Sequence, residues 1–381
     1  MTSKKIFFRL LLLFIRKNQY NKPHEIYLII KSSSLSIVRT QEHLYRQDEY
    51  FNLESGSALP GFQLKYTTLG ELNPEKSNVV WVCHALTGSS NFVDWWGALF
   101  EEEGPFDPRE YFIVCVNTLG GCYGSTGPLS VNPESSTPFF HDFPTITNWD
   151  IVRSFDLLRT HLEIEKIHTL IGGSLGGQQA LTWAIYNPEV CINLIPIACN
   201  AFHSPWGIAI NESQRMAIEA DQTWQMRNAN AGSNGLKAAR AISMTTFRSF
   251  EAFQLQGEKT NRLDQYRAAS YQRYQGEKLA KRFDAFSYWT LTKVMDNHQV
   301  GRKFRSPEDA LRKIRAKTLV IGIDSDLLFP VSEQKFIYNY IPNAQLEIIQ
   351  SPYGHDAFLI ELETLKVIIH NFLKFKFVYD E

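Results

Sequence analysis

Ser174 stands in the run Ile171-Gly172-Gly173-Ser174-Leu175-Gly176-Gly177, a Gly-x-Ser-x-Gly spacing. A β-type stretch precedes it and a helix-compatible stretch, Gln178 to Ala184, follows. That is the context in which a serine sits on a strained strand-to-helix elbow with its Oγ exposed above a sheet. The neighbouring glycines let strand and helix approach closely. A serine hydroxyl is a weak nucleophile until a base removes its proton. On such an elbow the partners follow in the order serine, acid, histidine, each just past the carboxyl end of a strand. The apolar run Thr318 to Ile323 ends in Asp324-Ser325-Asp326, and Leu346 to Ile349 leads through Ser351-Pro352-Tyr353-Gly354 to His355. His355 is therefore the candidate base. Either Asp324 or Asp326 can accept the hydrogen bond that fixes the imidazole tautomer; local sequence does not separate them. His168 lies inside the elbow strand, and His161, His298 and His370 fall on predicted helices with no turn to present them. A tetrahedral oxyanion needs preorganised donors. The backbone N–H groups of Leu175, directly after the serine, and of Leu86, in His84-Ala85-Leu86-Thr87-Gly88, are the candidates. His84 reads as a residue that orients this loop through a hydrogen bond.

The elements that must hold these groups are legible as patterns. Phe62 to Leu69 alternates apolar and polar residues, as a strand does. Nearly continuous apolar runs follow at 79–83, 111–116, 168–171, 192–198, 318–323 and 346–349, the mark of strands buried on both faces. Between them Trp149 to Leu162 repeats apolar residues at three- and four-residue steps. Strand alternating with helix predicts an α/β sandwich. Residues 203–305 break that rhythm and read as several helices, a lid inserted between two late strands. The expected organisation is a core over 46–202 and 306–381, a helical lid over 203–305, and an N-terminal extension over 1–45.

Composition narrows the function. A chain of 381 residues with a formal net charge of -1 lacks the basic excess of a nucleic-acid binder. Its five cysteines are scattered and odd in number, which suits small core residues in a reducing compartment. Neither Cys-x-x-Cys nor His-Glu-x-x-His occurs, so no metal site is expected. Near the N-terminus, Lys4-Lys5 precede an apolar run to Ile15 that is interrupted by Arg9 and too short to span a bilayer. A targeting or membrane-surface segment, a disordered extension and a start placed too far upstream compete there. The last two are preferred, with a cytoplasmic location and no stable membrane association expected.

From about residue 45 to 372 the chain resembles the homoserine O-acetyltransferases. The resemblance rests on His84-Ala85-Leu86-Thr87-Gly88, Asp94-Trp95-Trp96 and the loop Val116-Asn117-Thr118-Leu119-Gly120-Gly121-Cys122-Tyr123-Gly124-Ser125-Thr126-Gly127-Pro128. It continues through Asp142-Phe143-Pro144-Thr145-Ile146-Thr147, the elbow, and Tyr274-Gln275-Gly276-Glu277-Lys278. Ser325-Asp326-Leu327-Leu328-Phe329-Pro330 and Gly354-His355-Asp356-Ala357-Phe358-Leu359 complete it. It implies an α/β-hydrolase fold with a mostly parallel central sheet flanked by helices and a helical lid. It also implies Ser174 as nucleophile, Asp326 rather than Asp324 as acid, His355 as base, and substrate contacts from Arg240 and Asp356. An arginine fork suits the carboxylate of an amino-acid acceptor, and a carboxylate suits its ammonium. The implied reaction moves an acetyl group from acetyl-CoA, a co-substrate and not a bound cofactor, to L-homoserine in methionine biosynthesis. A homodimer is implied as well. Succinyl-CoA as donor, L-serine as acceptor and plain carboxylic-ester hydrolysis share every residue named; a non-catalytic binding module does not need the complete set. The chain departs from its resemblance at Phe286, where asparagine is common, and at Ser89-Ser90-Asn91.

Overall fold

The structure is a computed structural model that describes residues 27–31, 34–258 and 263–374. The chain divides into a unit ending at Gln41 and a second unit, Glu42–Glu381. In the first, Tyr27–Lys31 and Ser34–Val38 pair as an antiparallel hairpin with Tyr27 opposite Val38. The apolar run around Leu10 to Ile15 lies outside the described residues. No helix among the described residues is long and apolar enough to cross a membrane.

The second unit is built on one eight-stranded sheet. Its strands are β1 (Gln41–Gln47), β2 (Phe62–Leu69), β3 (Val79–Cys83), β4 (Phe112–Val116), β5 (Ile167–Gly173), β6 (Cys191–Ile197), β7 (Lys317–Ile323) and β8 (Ala344–Ile349). They lie in the order β8-β7-β6-β5-β3-β4-β2-β1. From β8 to β4 neighbours run parallel, while β2 runs antiparallel to β4. Every residue of β3 is buried, which is why the central runs are apolar without alternation. The edge strand β1 buries only Tyr45. Most of it falls within the N-terminal extension expected over 1–45, and the structure corrects that boundary: the sheet begins at Gln41. A polar edge strand lacks the apolar pattern that reveals a central one.

The longer helices are α1 (Asn148–His161), α2 (Leu175–Tyr186), α3 (Pro205–Glu219), α4 (Ser233–Phe247), α5 (Phe250–Gln256), α6 (Arg267–Ala280), α7 (Ala285–Asp296), α8 (Val331–Tyr340) and α9 (Leu362–Lys374). Short polar side chains set their starts. Thr147 and Asp150 form a reciprocal capping box on α1, and Ser204, Ser249 and Asp284 accept the N–H of the third residue of α3, α5 and α7. Helices α3 to α7 all lie between β6 and β7. Buried polar pairs secure this insertion to the core. Asn148 donates to His298 Nδ1 (3.1 Å), so Nε2 carries the proton and donates to the Asn200 carbonyl (2.9 Å). His298 was expected on a helix; it stands two residues beyond α7, where Asn297 caps the helix and the chain turns back to the core.

Two expectations follow from this packing. A Cβ at Gly176 would lie 2.0 Å from the Cys83 carbonyl oxygen, whereas one at helical Gly97 meets only a Val93 methyl at 3.7 Å. Gly176→Ala should cost about 3 kcal/mol or more in denaturant unfolding, and Gly97→Ala under about 1 kcal/mol. Burial also lowers His203 to about 4 and His298 to about 3. The unfolded chain, with histidines near the ordinary 6.5, then binds more protons than the folded one as pH falls. Stability from this source is intact above pH ~6.5 and drains away as pH drops toward 4. Melting temperature should decline across that window; a flat profile would mean these imidazoles are not held neutral.

Candidate active site

Ser174 joins β5 to α2 with φ 57° and ψ −123°, a conformation that L-residues rarely adopt. The surroundings over-determine it. The Ser174 N–H donates to the Ile197 carbonyl at the end of β6 (2.9 Å), and a Cβ at Gly172 would meet the Gly176 carbonyl at 2.3 Å. The glycines are thus required by backbone contacts within the elbow and to β3.

The loops after β7 and β8 bring the other two groups to this serine. His355 Nε2 lies 2.9 Å from Ser174 Oγ, and His355 Nδ1 lies 2.7 Å from Asp326 Oδ2. All three residues are buried, and each stands beyond the carboxyl end of its strand. Asp326 Oδ1 accepts the Leu328 and Phe329 N–H groups (2.8 and 2.9 Å), which fixes the carboxylate plane. Rings of Phe329, Phe358 and Phe247 surround the imidazole at 5.2, 5.3 and 5.7 Å between centroids. Asp324 is exposed and instead accepts the Ser351 N–H (3.0 Å), tying the two loops together. The structure therefore separates two aspartates that local sequence could not. Beside Asp326, burial and that neighbouring carboxylate push Glu333 up to about 7.

The expected oxyanion donors come from two backbones. Leu175 is the first residue of α2, where an N–H has no intrahelical acceptor. Leu86 is the second residue of a turn closed by Gly88 N–H to the Ala85 carbonyl (2.8 Å), so its own N–H is not used by that turn. His84 fixes the loop. Its Nε2 accepts the Thr118 N–H (3.1 Å), which leaves Nδ1 protonated and donating to Ala85 (2.8 Å). Burial holds this ring neutral, lowered to about 4.

Arg240 and Asp356 are drawn toward the same region from α4 and from the turn after β8. Arg240 is partly buried, with its Nε out of contact with solvent, and its guanidinium faces the Phe247 ring at 5.1 Å. Its Nε has no hydrogen-bond partner, and no carboxylate lies within ion-pair distance among the described residues. Burial lowers its pKa, with the Tyr288 hydroxyl and Asp356 opposing that shift. Asp356 caps no helix with its side chain; it pairs with Arg248 Nε at 2.9 Å. Sequence reasoning missed Arg248, and the only available signal was its place just past the end of α4. Phe286 packs against Trp224, His141 and Phe140 at 4.8 to 5.4 Å, in an aromatic cluster. Ser90 is buried against Thr67 and Asn117. Among the described residues no group of three or more His, Cys, Asp or Glu could hold a metal ion.

The geometry is that of a serine hydroxyl hydrogen-bonded to an imidazole that a buried carboxylate orients. Comparison with known proteins agrees with the architecture. The model of the alpha/beta hydrolase fold family matches residues 78–362. A homoserine O-acetyltransferase of Cyclobacterium marinum is 50% identical over 344 residues, covering 90% of this chain and 98% of that one. Among solved structures, homoserine O-acetyltransferase from Bacillus anthracis superposes with a TM-score of 0.83 at 22% identity, covering 88% of this chain and 98% of that one. Esterase E22 does so at 0.81 and 23%, covering 88% and 100%; at such identities both likenesses speak to the fold alone. Sequence identity at the first of these levels, over nearly the whole length, goes further: the chain belongs to the homoserine O-acetyltransferase family within the α/β-hydrolase fold.

Proposed function

We propose that this chain transfers an acetyl group from acetyl-CoA to the hydroxyl of L-homoserine by a two-step exchange at Ser174. His355 takes the Ser174 proton as Oγ attacks the thioester carbonyl. The oxyanion forms against the Leu86 and Leu175 amides, and CoA leaves as a thiol with the proton returned by His355. The acetyl-serine is then attacked by the homoserine hydroxyl, with His355 again as base, and O-acetyl-L-homoserine departs. Asp326 orients the imidazole and stabilises its charged form during both steps. Neither step calls for a metal or a resident cofactor.

One observation carries the acceptor assignment. Arg240 is partly buried, its solvent-shielded Nε has no hydrogen-bond partner, and no carboxylate lies within ion-pair distance among the described residues, a costly arrangement that an acceptor carboxylate would relieve. Asp356, next to His355 and already paired with Arg248, is the counterpart for the acceptor ammonium. The insertion formed by α3 to α7 is suited to keeping water from the acetyl-serine, which a transferase needs more than a hydrolase does. The exposed side chains Phe250, Leu255, Leu263, Tyr266 and Tyr274 on or between α5 and α6 favour a homodimer paired through these helices. A reducing, cytoplasmic setting fits the free cysteines.

Four measurements test this reading. Acetyl-CoA alone should release a burst of CoA equal to the enzyme sites, and a CoA signal that appears only with homoserine would contradict acylation first. Crossing acetyl-CoA and succinyl-CoA with homoserine and serine should give O-acetylhomoserine as the main product mass. Arg240→Ala should abolish transfer to homoserine while small-ester hydrolysis stays within a few-fold; equal losses would point to an ester hydrolase without an amino-acid site. At the acid position Asp326→Asn should lower kcat by roughly 10⁴-fold, whereas Asp324→Asn should change it by less than about tenfold.

A further inference from the structure

We propose that Arg282 is a positioning residue that holds the oxyanion-binding turn from the side of the helical insertion. The proposal rests on the reading of Leu86 as an oxyanion donor. The turn Ala85–Gly88 has two carbonyls available to outside donors. From the core, His84 Nδ1 donates to Ala85 O (2.8 Å). From the insertion, Arg282 Nη1 donates to Thr87 O (2.7 Å). The same nitrogen also reaches the Tyr123 hydroxyl at 2.6 Å. Nη1 carries two hydrogens, one for each acceptor, so a single guanidinium joins the turn, the glycine-rich loop and the insertion.

Arg282 is itself held in place. It lies between α6 and α7, its N–H donates to the Leu279 carbonyl (2.9 Å), and its neighbour Phe283 is buried against the rings of Tyr123 and Tyr288. Although the guanidinium is exposed, its anchor is not. An exposed hydrogen bond of this kind contributes little to stability. Its consequence is directional. With both carbonyls restrained, the Leu86 N–H between them keeps its aim; with Thr87 released, the turn can pivot about the His84 contact. Oxyanion donors act only when aimed at the tetrahedral oxygen, and misplacement by about 1 Å can cost on the order of a hundredfold. Arg282 touches neither the serine nor the imidazole among the described contacts, so it works through Leu86.

The test uses the full chain with a small acetyl ester and a trifluoromethyl ketone that forms a tetrahedral adduct on a nucleophilic serine. Arg282→Ala should lower kcat roughly tenfold to a hundredfold with KM within about twofold, and weaken the ketone in step. Its melting temperature should stay within about 2 °C of the parent. Arg282→Lys should regain part of the loss, and Tyr123→Phe, which keeps the Thr87 contact, should stay within about threefold of the parent. The proposal is overturned if kcat and ketone affinity of Arg282→Ala both match the parent. It is equally overturned if KM alone rises, since that marks a substrate contact, or if Tyr123→Phe loses as much as Arg282→Ala. Neither readout needs homoserine. A chain that hydrolysed esters yet made no O-acetylhomoserine would sink the acceptor assignment and leave the Arg282 result readable.

Discussion

The approach of three backbones at the elbow is the constraint on which everything else depends. Gly172, Gly176 and the Cys83 carbonyl at the end of β3 pack so closely that none of the intervening space would admit a methyl group. That closeness forces Ser174 into its left-handed conformation and lifts Oγ out of the strand's plane. Once the hydroxyl projects above the sheet, loops after β7 and β8 can bring a carboxylate and an imidazole to it. Without that projection the same three side chains would have no common point to meet.

The imidazole is fixed from both sides and above. A carboxylate with both oxygens engaged holds Nδ1, the serine hydroxyl meets Nε2, and three phenylalanine rings limit rotation. Trp96 secures one of those rings at its root by donating its indole N–H to the Phe358 carbonyl (2.9 Å). The acidic partner is thus distinguished from its neighbour two positions earlier by direction alone. Asp324 turns outward to the loop backbone; Asp326 turns inward.

Charge near the site is arranged differently from charge elsewhere. Arginines away from it pair with carboxylates, as Arg159 does with Asp156 and the buried Arg215 with Asp296. Arg240 is partly buried, its Nε is without a hydrogen-bond partner, and it has no such pairing among the described residues. A folded chain that tolerates this cost does so where a ligand can offset it. The turn that carries Leu86 is restrained by His84 from the core and by Arg282 from the insertion, so the insertion and this oxyanion donor are connected.

The amino-acid sequence by itself determined the sheet, the elbow and the order of the reacting groups. Buried parallel strands demand unbroken apolar runs, and a tight elbow demands glycines, so both leave marks that are local in the chain. Strand β1 left none, because it buries only Tyr45 and the rest of it is polar or exposed. What only the tertiary structure decided depends on direction and on distant partners. The pairing of Asp356 with Arg248 and the reach of Arg282 to Thr87 each join residues separated by many positions, as does the contact of Asp326 with His355, which the resemblance implied but local sequence did not separate from Asp324. Side-chain orientation is set by packing from neighbouring elements, and a linear pattern carries no record of which neighbour will be there.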